Sequence, residues 1–284
     1  VDPGDPGLNG NIAPDTRLSG ALTNLSGPSD VIVNAAGQLL VSNFTGQRIT
    51  TYDNAASVTL NVAPVGNVQG VATGLTGPRS LAIDEVADLL LVVNQTNNTI
   101  TTYSNTTDPN AFNGNLPFVR RIENAAINVP TGANFDDQGN LYVANNAGNN
   151  ILVFDNAANI TGNQNPSRTI TSPAAFVDVR DAYVDSALDR LVVVDATGHI
   201  FTFFQASQLD GPEVPTFDVT VQGALEITAI AISIDGTGYI VDRTANAVWI
   251  YNNVATRNLT LAPDREIQGN QTRLEGPFGV FLLE

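Results

Sequence analysis

Few residues in this chain have the types and spacing that chemistry demands. His199, the sole histidine, lies in Ala196-Thr-Gly-His-Ile200. One imidazole cannot build a histidine-rich metal site or a Ser-His-Asp triad with supporting ligands. There is no cysteine, which excludes disulfides, thiolate nucleophiles and cysteine-held metals. Asp136-Asp137-Gln138-Gly139-Asn140 offers side-chain oxygens at alternating positions. Asp136, Asp137 and Asn140 are therefore the candidate metal ligands, with calcium the ion they suit. The stretch lacks the length and the bidentate Glu of an EF-hand loop, and the same residues also make a hairpin turn. Carboxylate pairs such as Asp181 with Asp185, or Asp84 with Glu85, do acid–base work only if folding converges them in one pocket. No glycine spacing matches a phosphate loop leading into a helix. No catalytic residue is nominated, calcium is the one cofactor in view, and the reading favours a non-enzymatic role.

Composition narrows the partners. The 284 residues carry 28 acidic side chains against 12 basic ones, a formal charge of -16. Every basic residue is arginine. Such a chain repels nucleic acid and anionic membranes. The 43% of aliphatic and aromatic residues suffices for a large core. No apolar run approaches the ~20 residues of a membrane-spanning helix. The absence of Met predicts a processed chain or a fragment, and residues 1–14 hold no apolar leader segment.

The elements that must position any site are short strands, and they repeat. A proline-led entry into Ala133 and Phe135, then Leu141 to Ala144 and Ile151 to Phe154, read as three strands joined by turns at Asp136–Asn140 and Asn145–Asn150. The pattern recurs four times, at Gly27-Pro28, Gly77-Pro78, Phe176-Val177 and Ile230-Ala231. Each middle strand ends on Asn or Asp, at 43, 94, 145, 195 and 242, giving spacings of 51, 51, 50 and 47. A fourth, charged strand follows each set, as in Arg168-Thr-Ile170 and Arg265-Glu-Ile267. A period of ~40–50 residues built of four short strands is the sign of propeller blades.

Leu141-Tyr-Val-Ala-Asn145, Asn150-Ile-Leu-Val-Phe-Asp155 and the Gly-Pro leads at 27, 77 and 276 resemble the NHL/YVTN β-propeller repeat family. That resemblance implies an all-β propeller of four-stranded blades and covers nearly the whole chain. Surface-layer proteins are among the proteins built from such blades. The repeats fall near 27–74, 75–128, 129–171, 172–226 and 227–273. A Pro/Gly-rich segment spans 1–14, the propeller domain spans 15–284, and a last strand spans 274–284.

The strand count is uneven. A first outer-type strand near Asp15–Leu18 and a last inner-type strand at Gly276–Leu283 bracket five complete sets. The expectation is about six blades, the sixth built from both termini and lacking its middle strands. The alternative is five blades with spare terminal strands. An incomplete blade invites strand addition and open-ended assembly. The self-association candidates are Val1, Asp2, Leu8, Leu274, Phe278, Val280, Phe281 and Leu282.

The leading functional expectation is an extracellular, self-assembling structural propeller, a homo-oligomer or homopolymer in a filament or surface layer. One alternative, suggested by the fold's enzymes, is a calcium-dependent lactonase-like hydrolase or lyase. Another is a scaffold that binds protein or glycan partners. Glycosylation acceptors of the Asn-x-Ser/Thr type occur at Asn24, Asn43, Asn94, Asn97, Asn105, Asn159, Asn258 and Asn270. They suit a cell-surface or secreted setting.

Overall fold

A computed structural model describes residues 7–283. Twenty of its strands form five blades of antiparallel sheet around a common axis. Blade 1 comprises β1 (Pro28–Val33), β2 (Leu39–Asn43), β3 (Arg48–Tyr52) and β4 (Gly66–Gln69). Blade 2 comprises β5 (Pro78–Asp84), β6 (Leu89–Asn94), β7 (Thr99–Ser104) and β8 (Arg120–Glu123). Blade 3 comprises β9 (Pro130–Phe135), β10 (Leu141–Asn145), β11 (Asn150–Phe154) and β12 (Arg168–Thr171). Blade 4 runs through β13 (Val179–Asp185), β14 (Arg190–Asp195) and β15 (His199–Phe204). The short β16 (Gly211–Pro212) then joins the edge of blade 3, and β17 (Phe217–Val221) completes blade 4. Blade 5 contains β18 (Ile227–Ile232), β19 (Gly238–Asp242) and β20 (Ala247–Tyr251). After β21 (Leu259–Leu261), which adds to blade 4, β22 (Arg265–Gln268) closes it.

The hydropathy of each strand follows its place in the blade. Blades stack face to face, so their second strands are covered on both sides. Leu90, Leu91, Val92 and Val93 of β6 are wholly buried, as are Leu191 to Val194 of β14. Such strands read as unbroken apolar runs instead of alternating ones. The outermost strands meet solvent and keep their charges, with only Ile170 of β12 and Ile122 of β8 fully buried among their four residues. The core is accordingly a series of wedges between blades. Leu40, Ile49, Leu90 and Tyr103 fill the first, and Val192, Ile240 and Trp249 fill the one between blades 4 and 5. Each fully buried Leu or Ile contributes roughly 1.5–3 kcal/mol.

A belt of parallel bridges runs around the circumference. The loop preceding each outermost strand reaches back to the outermost strand of the previous blade, as in Val68 with Gly114 and Ile122 with Gly162. β16 and β21 are longer versions of this contact.

The expected sixth blade is not formed; the propeller has five. Among the described residues, the segments before β1 and after β22 contain a single 3-10 turn (Ala21–Thr23) and isolated bridges, but no strand. The N-terminal segment pairs outward instead, through Gly10 with Ile267 of blade 5 and Leu18 with Leu60 of blade 1. With no middle strands to carry the ladder between them, the terminal segments bond to the flanking blades, the N-terminal one at Gly10 and Leu18 and the C-terminal one through Phe278 O, which accepts from Thr228 Oγ1 of blade 5. No helix among the described residues is long and apolar enough to cross a membrane.

Candidate functional site at the channel mouth

The innermost strand of each blade is bulged near its start. Register shifts fall between Pro28 and Asp30, Pro78 and Ser80, Val179 and Asp181, and Ile227 and Ala229. In blade 3 the shift between Ala144 and Asn145 of β10 faces Gly132 and Pro130. A bulge leaves one residue out of the ladder and re-aims side chains. The extra residues are Ser29, Arg79, Thr131, Arg180 and Thr228, all at one level around the axis.

Just below them the channel is closed. Asp30, Ser80, Asp181 and neighbouring backbone surround a cavity of about 20 Å³, room for one water. Asp30 Oδ1 accepts from the amide of Val31 at 2.9 Å, while Oδ2 accepts from Leu81 N at 2.9 Å and Ser80 Oγ at 3.1 Å. Asp181 does the same from blade 4, taking Ala182 N at 2.9 Å and Ile230 N at 3.1 Å. Each carboxyl thus staples its own strand to the innermost strand of the next blade. No side chain separates them from the backbone opposite: Cβ atoms on Gly132 and Gly279 would collide with Asp181 and Asp30.

Burial raises both carboxyls. Asp30 is pushed up to about 6, the amide and hydroxyl bonds and Arg79 opposing the shift. Asp181 is pushed up to about 7, with Asp30 adding to the desolvation and the amide bonds and Arg79 opposing it. Desolvation wins in each because the surrounding protein replaces water with fewer dipoles.

Above the closed channel a cleft of about 720 Å³ opens, lined from all five blades and by the C-terminal segment. Arg79, Arg180 and Arg243 enter it from blades 2, 4 and 5. The Arg79 guanidinium lies 3.6 Å from the centroid of Phe278, and Arg243 lies 5.3 Å from the same ring. Arg180 is paired with Asp178 at 2.8 Å and reaches Glu226 at 4.0 Å; Arg243 meets Glu226 at 3.3 Å. Arg79 has no such carboxylate within ion-pair distance among the described residues. Burial, with Arg180 and Arg243 next in weight, lowers it to about 10. It remains a cation at neutral pH.

The residues singled out in the sequence lie elsewhere. Asp136, Asp137 and Asn140 form the turn between β9 and β10, where Asp136 Oδ1 takes the amides of Gln138 and Asn140 at 2.9 and 2.8 Å. His199 bonds Asp218 at 2.8 Å and stacks on Phe201 at the outer part of blade 4. Of the acceptor asparagines, Asn43 and Asn94 are fully buried. Asn94 Oδ1 accepts from Thr76 N, and its amide donates to Val92 O and Thr101 Oγ1; Asn43 repeats this with Ser26, Val41 and Thr50. Asn24, Asn97, Asn105, Asn159, Asn258 and Asn270 are exposed.

Among the self-association candidates, Val1 and Asp2 lie outside the described residues. Leu8, Val280 and Leu282 pack together on Tyr239 and Ile250 of blade 5. Leu274 is half-buried, Phe278 lies under Arg79, and Phe281 is exposed.

Sequence reasoning did not find the arginine mouth. The signal was present: Arg79 and Arg180 occupy equivalent bulge positions in two repeats of a chain with twelve basic residues. Repeat alignment alone marks that coincidence, but the bulge that turns the side chains inward is a product of pairing.

Fold and cleft together define a β-propeller whose open site is the mouth of its axial channel. Residues 15–188 match the family described as SMP-30/Gluconolactonase/LRE-like region, and the chain belongs to that family. No curated protein matches it in sequence. Among solved structures it is similar to the crystal structure of a nidogen/laminin complex (TM-score 0.62, 14% identity, 89% of this chain and 83% of that one). It is also similar to the Cps50 (Swd1) β-propeller domain of Myceliophteria thermophila (0.56, 11%, 86% and 72%). A third is the hydrazine synthase of Kuenenia stuttgartiensis (0.56, 14%, 82% and 79%). At these identities the likeness is one of fold. The NHL/YVTN resemblance therefore holds at the level of the propeller, and its surface-layer aspect gains no support.

The calcium that accompanies a lactonase reading does not fit the channel. No three Asp, Glu or His side chains converge as ligands among the described residues. Both channel carboxyls already accept from main-chain amides, and a hard cation needs 6–8 free oxygens.

Proposed function

We propose that this protein is a lactonase-like hydrolase that takes a small cyclic ester into the cleft at the channel mouth. Membership of the gluconolactonase-like family carries this reading. The matched stretch includes β1 to β13, which supply the closed channel floor, Arg79 and Arg180. The cleft is of small-molecule size, within the range of ~300–1,000 Å³ usual for ligand sites. Arg79 is the group suited to a developing oxyanion, a partly desolvated cation with no carboxylate of its own. Glu275 lines the same mouth, and Asp178 and Glu226 adjoin it as the partners of Arg180 and Arg243. Proton release during incubation with a panel of five- and six-membered lactones tests the reading. Turnover that Arg79→Gln abolishes supports it; absence of turnover across the panel removes it.

A second reading, ligand binding without turnover, is favoured by one observation. Asp30 and Asp181, the buried carboxyls nearest Arg79, are committed to backbone amides and closed off from the cleft. The assembly reading gains no such support, since Leu8, Val280 and Leu282 are used within the molecule. An extracellular setting rests on the six exposed acceptor asparagines, and the intact mass of protein from its native source checks it.

A further inference from the structure

We infer that the ligand of the channel mouth carries a carboxylate, held by the edge of the Arg79 guanidinium while its apolar body lies against Phe278 and Phe44. The inference rests on the mouth being the site, and it does not rest on hydrolysis.

The argument begins with charge. The chain carries a formal -16, yet three of its twelve arginines converge on one cleft. Two of them are balanced: Arg180 by Asp178, and Arg243 by Glu226. Glu275 also lines the cleft and is exposed at its rim. Arg79 is left over. Its nearest buried carboxyl, Asp30, accepts bonds from Val31, Leu81 and Ser80 rather than from the guanidinium. Phe278 covers one face of Arg79 at 3.6 Å, and Phe44 lies 5.9 Å away.

An aromatic ring satisfies a guanidinium face but none of its N–H groups, which lie in the plane. The five donors of Arg79 thus have an orientation fixed by stacking and no carboxylate to receive them. That is the arrangement that takes a carboxylate through two parallel hydrogen bonds. One arginine of the three without an ion-pair partner among the described residues suits a monoanion. Arg180 Nε, buried without a partner, is a further unmet donor on the opposite wall. Phe44, Pro28, Val129 and Phe278 give the otherwise polar cleft an apolar side, which an organic acid uses and an inorganic ion does not.

Isothermal titration with benzoate, its neutral isostere benzamide, and inorganic phosphate tests this. The expected result is saturable 1:1 binding of benzoate, with benzamide weaker by about 10-fold or more, the worth of a charge-assisted hydrogen-bond pair. Arg79→Gln should lose benzoate binding by a similar factor, and Arg79→Lys, which keeps the charge but not the fork, should fall between. Thermal unfolding of each variant establishes that it is folded. Equal binding of benzoate and benzamide, phosphate binding as tight as benzoate, or no benzoate binding at millimolar concentration overturns the inference. Lactone turnover is measured separately. Turnover without anion preference sinks this inference and leaves the hydrolase reading standing; anion preference without turnover does the reverse.

Discussion

Arg79 and Phe278 face each other at 3.6 Å across the seam between the body of the propeller and its C-terminal segment. The contact sets both the shape of the mouth and the position of the last residues of the chain. A desolvated cation–π pair is worth about 2 kcal/mol, and Phe278 also packs on Arg243. Phe278→Leu should therefore lower stability by about 1–3 kcal/mol in urea denaturation. A variant as stable as the parent would show that the ring does not hold the segment.

The buried carboxyls give the protein a characteristic response to pH. Asp181 stands at about 7 when folded, against 3.8 for an unperturbed aspartate. Between those values the folded chain keeps a proton that the unfolded chain releases. Its stabilising contribution is complete below about pH 3.8 and is lost as pH rises through about 7. Asp181→Asn removes that dependence. The stability gap between parent and variant should narrow by a few kcal/mol, at about 1.4 kcal/mol per unit, between roughly pH 4 and pH 8. Denaturation across that range decides it, and a gap that is constant or widens contradicts the assignment.

Asn94 ends β6 at zero exposure and ties Thr76, Val92 and Thr101 together. Asn94→Ala should cost about 1–3 kcal/mol, because the amide of Thr76 loses its acceptor and the hydroxyl of Thr101, which keeps Tyr103, loses one of its two bonds. Asn97→Ala, exposed three residues on, should stay within about 0.5 kcal/mol of the parent. Equal effects at the two sites would refute the structural role.

The C-terminal segment is expected to work as a cover. Val280 and Leu282 bury themselves with Leu8 on Tyr239 and Ile250. Deleting residues from 277 onward should uncover this apolar surface, lower the melting temperature and promote association. Light scattering of the parent and the truncated chain reads this directly. A truncated chain that matches the parent in both light scattering and melting temperature rules the role out.

Much of the architecture was legible because its causes are local. Asp136, Gly139 and Asn140 make a hairpin turn through bonds spanning a few residues, and side-chain chemistry alone predicts that. Strands such as Leu89–Asn94 and Leu141–Asn145 are apolar throughout because both faces are covered, and a run of such residues reveals them. The recurrence of Asn or Asp at 43, 94, 145 and 242 follows from one repeated task, which is to bind the loop leading into the innermost strand. Asp195 departs from it and binds the turn that follows, through Thr197 and the amide of His199.

What the sequence determined by itself is the repeating unit: its four strands, its turns and its period, all set by contacts within about fifty residues. Tertiary structure alone decided the number of blades and the site. Five blades stand where six were expected because ring closure depends on segments more than two hundred residues apart, and the terminal segments, although Leu8 packs on Val280 and Leu282, form no strand among the described residues and bond to the flanking blades instead. The mouth exists because bulges turn Arg79 and Arg180 inward and Phe278 arrives from the far end of the chain. Convergence of that kind is a property of the closed ring, and no local pattern encodes it.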